Sequence, residues 1–152
     1  MPDKAKWTTE DFESLSWHDC HVHGFTLDAF KTDDGTADVT FDIDFIVEWT
    51  CPAGGPFEFR VAPANLTFHR VFGLRIEVDY AAAGAGMTPF SLDGIERQNL
   101  DYPGSFRWRL PINWPGGAIT FDSPGFTQVL RRSPILVGRQ QLTPEERKAG
   151  SA

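Results

Sequence analysis

The most constraining feature of this chain is an apolar period of two that returns in segment after segment. Val39, Phe41, Ile43, Phe45, Val47 and Trp49 alternate with Thr40, Asp42, Asp44, Ile46 and Glu48, with one exception at Ile46. The same spacing returns in Phe57–Val61, Leu74–Tyr80 and Phe106–Trp114, and shorter apolar runs lie at 65–71, 118–121 and 126–130. Side chains alternate across a pleated strand, so each stretch reads as a strand with one buried face. Turn chemistry punctuates them: Asp33-Asp34-Gly35, Pro52-Ala53-Gly54-Gly55-Pro56, Tyr102-Pro103-Gly104 and Pro115-Gly116-Gly117. Strands with one polar face suit antiparallel sheets and not a helix-covered parallel sheet. The expected fold is all-β, a two-layer antiparallel sandwich or flattened barrel with short terminal helices.

The 152 residues make one domain's worth of chain, with residues 1–14 as an N-terminal arm or short helix and 140–152 as a C-terminal helix or tail. Thr143-Pro144-Glu145-Glu146 has capping-box spacing with proline at the first helical position. Pro111 interrupts a strand pattern and, lacking an N–H, is expected at an edge or bulge. Twenty large aromatic rings argue against disorder and for a packed core.

Charge is unevenly placed. The formal net charge is -7, but residues 1–50 alone hold three basic and twelve acidic side chains. The remainder is slightly basic, so the two halves are expected to attract each other across a sheet, with Arg107, Arg109, Arg131 and Arg132 as partners for the acidic stripe. The alternative is that Asp42, Asp44 and Glu48, on the solvent face of their strand, greet a basic protein partner, with Trp17 as an aromatic contact. An acidic surface argues against nucleic-acid binding. No apolar stretch has the length of a spanning helix, and the start lacks a secretory h-region, so a cytoplasmic protein is expected. Cys20 and Cys51 are expected as free thiols.

One cluster could carry chemistry. Three of the four histidines fall in His18-Asp19-Cys20-His21-Val22-His23. On a strand from about Cys20, strict alternation puts His21, His23, Phe25, Leu27 and Ala29 on one face. Val22, Gly24, Thr26, Asp28 and Phe30 then lie on the other. His21 and His23 would present two nitrogens to one divalent metal, with His18 or Asp19 as a third ligand. Asp42, Asp44 or Glu48 would complete a shell suited to zinc, iron or manganese. Histidines bonded to a carbonyl and a carboxylate as ordinary structural groups are the competing reading, under which no cofactor is required. No nucleophile motif appears, which leans the reading away from an enzyme.

Ser16-Trp17-His18-Asp19, the acidic strand and Ala62–Val71 resemble a scattered group of small, mostly uncharacterised bacterial all-β proteins. Some with a Trp-His-Asp opening are described as immunity proteins of polymorphic toxin systems. The resemblance implies a cytoplasmic, non-catalytic binder of a partner protein. Two function classes therefore stand: a binding module, and a metal-dependent small-molecule binder or enzyme at His21 and His23. A homo-oligomer paired through edge strands is a third arrangement the pattern allows.

Overall fold

The computed structural model describes residues 4–29, 33–82 and 84–148; Phe30 of the alternating pattern and the tail Ala149–Ala152 lie outside them. Among these residues are ten strands, β1 (Lys6–Thr8), β2 (His21–Asp28), β3 (Ala37–Thr50), β4 (Glu58–Val78), β5 (Phe90–Leu92), β6 (Glu96–Asn99), β7 (Phe106–Trp114), β8 (Gly117–Ser123), β9 (Gly125–Leu130) and β10 (Ile135–Val137). A 3-10 helix, Thr9–Ser14, follows β1, and a short helix α1, Pro144–Lys148, ends the described chain. Every strand pairing is antiparallel.

The ladders close on themselves. β3 pairs with β4, β4 with β8, β8 with β7, β7 with β5, β5 with β2, and β2 with β3. This circuit is the flattened barrel that the alternation predicts. The long strand β4 makes it possible by serving both layers. Its first part lies between β3 and β9 or β10, and its last part, from Phe72, pairs with β8. The change of layer falls where Arg70 and Gly73 take positive φ (49° and 66°) and the register shifts, as a bulge does when it turns a strand from one sheet into the next.

Inside lie Phe41, Phe68, Trp108, Phe121 and Phe126, all essentially without exposure. The Phe68 ring meets Trp108 at 5.1 Å and Phe121 at 4.7 Å, both edge-on, the geometry the ring quadrupole favours. Trp17 belongs to this core, 2 % exposed and packed on Phe12 and Phe126, so it is not available as a surface contact. Its indole N–H donates to Gln128 Oε1 at 2.7 Å, which is how a large amphipathic ring is accommodated in a dry interior.

Pro111 sits in neither an edge strand nor a bulge of its own. β7 is flanked by β8 on one side and by β5 and then β6 on the other, and Pro111 faces the gap between those two short strands. Its carbonyl accepts the Asp93 N–H at 2.8 Å from that gap. A residue's N–H and C=O point the same way along a strand, so the missing donor falls where no ladder bond is due. Both terminal helices form. Thr143 caps α1 through Oγ1, which accepts the Glu146 N–H, while the Glu146 carboxylate accepts the Thr143 N–H at 2.8 Å.

Candidate functional site

Two bulges decide what faces what around the histidines. In β2, Val22 pairs with Ile43 and Gly24 with Asp42, leaving His23 as an extra residue without a partner of its own. The bulge reverses the alternation beyond it. His21 lies opposite Asp44, on the outer side of the sheet, but Phe25 and Leu27 lie opposite Phe41 and Val39, on the inner side. The single face expected to carry His21, His23, Phe25 and Leu27 is therefore split, because one inserted residue flips every side chain after it. The two histidines stay together: His23 Nε2 is 2.8 Å from Asp44 Oδ2, and His21 is paired with Asp44 across the ladder. The second bulge is in β3, where Ile46 pairs with Val61 and Glu48 with Arg60, skipping Val47. It follows Ile46, which is buried on the Asp44 side, and brings Trp49 onto that same side.

The outer side of β2 and β3 is covered in part, at Asp44 and Ile46, while Glu48 stays exposed. The chain from Arg131 onward folds back over it. Asp44 is fully buried and accepts three donors: His23 Nε2, the Leu142 N–H at 2.9 Å, and the Arg147 guanidinium. Asp42 is bonded to the Arg147 guanidinium and to Arg131 Nη1 at 2.8 Å, and Arg60 Nη1 meets Glu48 at 3.2 Å. Of the arginines expected to pair with the acidic stripe, Arg131 does so, joined by Arg60 and Arg147, whereas Arg107 pairs with Asp122, Arg109 with Glu96 and Arg132 with the Glu146 carbonyl. The physical reason is the charge imbalance itself: carboxylates on a sheet face are covered at least cost by a segment bringing guanidinium forks to them.

The Trp-His-Asp turn is held as firmly. Asp19 takes a left-handed backbone (φ 63°), which an aspartate tolerates when its side chain is tied down. Its carboxylate accepts Asn113 Nδ2 at 2.6 Å and Gln140 Nε2 at 2.8 Å. The Asp19 N–H reaches the Leu92 carbonyl, and His18 Nδ1 lies 3.0 Å from the Asp93 carbonyl. Cys20 is buried, with burial pushing its thiol up to about 12, so it is an inert core group. Cys51 is a free, exposed thiol. Burial also pushes the His21 imidazole below its ordinary value, against the opposing pull of Asp44, and its Nδ1 is buried without a hydrogen-bond partner.

His18 and Asp19 are consequently held by the Asp93 carbonyl, Asn113 and Gln140, and His23 by Asp44. Among the described residues no three His, Cys, Asp or Glu side chains gather as a metal-ligating group. Asp44 already has three of its roughly four acceptor positions occupied. Beside His23 opens a cleft of about 350 Å³ lined by Pro89, Arg139, Leu142 and Thr143. It offers no activated nucleophile. The Thr143 hydroxyl is the helix cap, and Arg139 is paired with Glu146, whose carboxyl that guanidinium holds down at about 2.

A different surface was not legible as a site. At the end of β3, Trp49 is 43 % exposed and neighbouring Phe57 57 %, with ring centroids 6.4 Å apart and planes at 78°. Phe59 supports Trp49 edge-on at 4.9 Å. His18 stacks on Trp49 at 6.2 Å, and the exposed Asp93 carboxylate lies 3.5 Å from the His18 ring. The β3 bulge makes this corner, and alternation alone gives no signal for it. Strict alternation instead assigns Trp49 to the core. Compared with known proteins, the chain matches no protein-family model, no curated protein and no solved structure.

Proposed function

We propose that this protein is a non-catalytic interaction module whose contact surface is the aromatic corner formed by His18, Trp49 and Phe57. Its partner is basic. One observation carries the reading: Asp42, Asp44 and Glu48 on β3 are engaged in internal ion pairs, whereas two large rings, Trp49 at the end of that strand and Phe57 just before β4, are left open to solvent beside an acid. Scattered exposed apolar residues need no explanation, but adjoining aromatics on a supported ring are what interfaces use as anchors. The net charge of -7 favours a positively charged partner in the encounter and disfavours an acidic one. An immunity-type role, in which the partner is a toxin domain, is the narrower form of this proposal.

The test is affinity capture from the producing organism with wild-type protein and with the Trp49→Ala/Phe57→Ala variant, compared at matched amounts. A basic protein enriched by the wild type and lost with the variant is the expected result. Partners bound equally by both would move the contact elsewhere. A metal-dependent role at His21 and His23 has less support, because His23 and the carboxylate nearest to it are already committed to protein partners.

A further inference from the structure

The strand β2 has a second edge. On one side it pairs with β3 along its whole length, but on the other β5 covers only His21 and Val22. Among the described residues, Gly24–Leu27 has no ladder partner on that side. Phe25 and Leu27 there are 41 % and 57 % exposed. The other edge strands differ. β6 is Glu-Arg-Gln-Asn, and β1 and β10 are three residues each. Natural edges are guarded by lysine, proline, charge, bulges or brevity, and the bulge of β2 lies at His23, ahead of this stretch. The stretch from Gly24 to Leu27 carries no lysine, proline or charge.

We propose that this edge is a homodimer interface, in which two copies join their β2 strands antiparallel about a two-fold axis at Thr26. The sequence is self-complementary in that register. Phe25 of each copy lies opposite Leu27 of the other, twice, on the inner side, and the two Thr26 residues face each other on the outer side. The stretch also lets two acidic chains approach without setting one carboxylate against another. Long-range repulsion remains, so the dimer should tighten as salt screens it. A pairing this short sits at the low end of interface sizes, and the association is therefore weak and concentration-dependent. The edge lies away from the Trp49 corner, so a partner there and a second copy here are compatible.

Sedimentation equilibrium from micromolar to millimolar protein reads this directly. The wild type should pass from monomer to dimer, and Leu27→Lys should weaken association by at least about tenfold. Leu27→Lys alters an exposed side chain, and an unchanged circular dichroism spectrum establishes that it folds. Register is read by Thr26→Cys in a Cys51→Ser background. Residues opposite each other in an antiparallel ladder have Cα atoms about 4.5–5.5 Å apart, within disulfide reach. Oxidation should then give a covalent dimer. A wild type that stays monomeric at millimolar concentration overturns the proposal. So does a dimer that survives Leu27→Lys or fails to cross-link at position 26, since either places the contact on another surface.

Discussion

Two stretches of β3 on the same side of the sheet meet opposite fates. Asp44 is buried under the returning chain and Asp42, half-exposed, lies beside it; the two are tied to Arg131, Arg147, His23 and the Leu142 N–H. Trp49, beyond the bulge, is left partly bare with His18, Phe57 and Phe59 laid against it. Charge is where a reader would look for a partner surface and aromatic rings are where one would look for core, yet here the assignments are exchanged. The lesson is energetic. A carboxylate under a covering segment must be paired in full or protonated, so it becomes a structural tie. A ring at a strand end loses little by remaining exposed and keeps its binding capacity.

The sharpest way to break this contrast is Asp44→Ala. If Asp44 is a buried tie, its removal strands the Leu142 N–H and leaves Arg147, whose side chain is 11 % exposed, with Asp42 as its remaining carboxylate. Loss of one partner of a buried pair typically costs about 3–5 kcal/mol, and chemical denaturation should show a fall of that order. A surface acid would cost about 0.5 kcal/mol or less, and such a value would mean the C-terminal segment does not hold this face. Arg147→Ala should cost less than Asp44→Ala, because Asp44 would keep two of its donors. The double variant should show strong non-additivity.

Trp17→Phe tests the other misplaced aromatic. Trp17, the first residue of the Trp-His-Asp opening, is a contact only in the basic-partner reading of the sequence and a packing ring otherwise. It is a core ring whose N–H satisfies Gln128, itself fully buried. Phenylalanine keeps most of the packing but leaves Gln128 Oε1 without a donor, at a cost of about 1–3 kcal/mol in denaturant titration. Partner capture should be unaffected once the variant is folded.

The fold was legible because period two is a strong signal and recurs along the chain. The layers, the capped C-terminal helix and the attraction between the two halves all follow from it and from charge. What could not be read was where the period breaks. A bulge adds one residue, leaves no mark in composition, and reverses every assignment downstream, as at His23 and Val47. Ile46 was the sole clue, an apolar residue out of phase just before the skip. Nor does sequence reveal that residues 131–148 return over β2 and β3, since long-range pairing is fixed only when the arginines find their carboxylates. That return is what turns Asp44 from an outward acid into a buried one.

A smaller effect separates the two sides by pH. His21 is held neutral by burial, its folded value lying below the ordinary one near 6.5. Above about pH 6.5 both folded and unfolded chains carry it uncharged, and it leaves stability unchanged. As pH falls below that, the unfolded chain takes up a proton that the folded chain resists, so stability declines until the lowered folded value is reached. Glu146 behaves differently. Its carboxyl is held at about 2 by Arg139, so what it contributes is present in full above its ordinary value of 4.5 and is lost progressively as pH falls from there through about 2. The His21→Gln variant should therefore flatten the stability profile just below pH 6.5, whereas Glu146→Gln should lower stability throughout the neutral range and approach the wild type only below about pH 2. Identical profiles for wild type and His21→Gln would place His21 in a wetter environment than its buried, unpartnered Nδ1 implies.

The smallest expected change in stability accompanies the largest expected change in binding. Trp49→Ala removes an edge-on contact with Phe59, and such an aromatic pair is worth about 1 kcal/mol. Phe57, more exposed still, contributes less to the fold. A Trp49→Ala/Phe57→Ala protein should thus unfold within a few degrees of the wild type, leaving the Asp42 and Asp44 ties untouched, while losing its partner. If the double variant instead collapses as Asp44→Ala should, the corner is core after all, and the two stretches of β3 do the same job. If it stays folded and keeps its partner, the exposed rings are idle and the contact must be sought on another part of the surface. Stability and capture measured on one preparation distinguish these outcomes, because a structural ring moves both readings and a contact ring moves only the second.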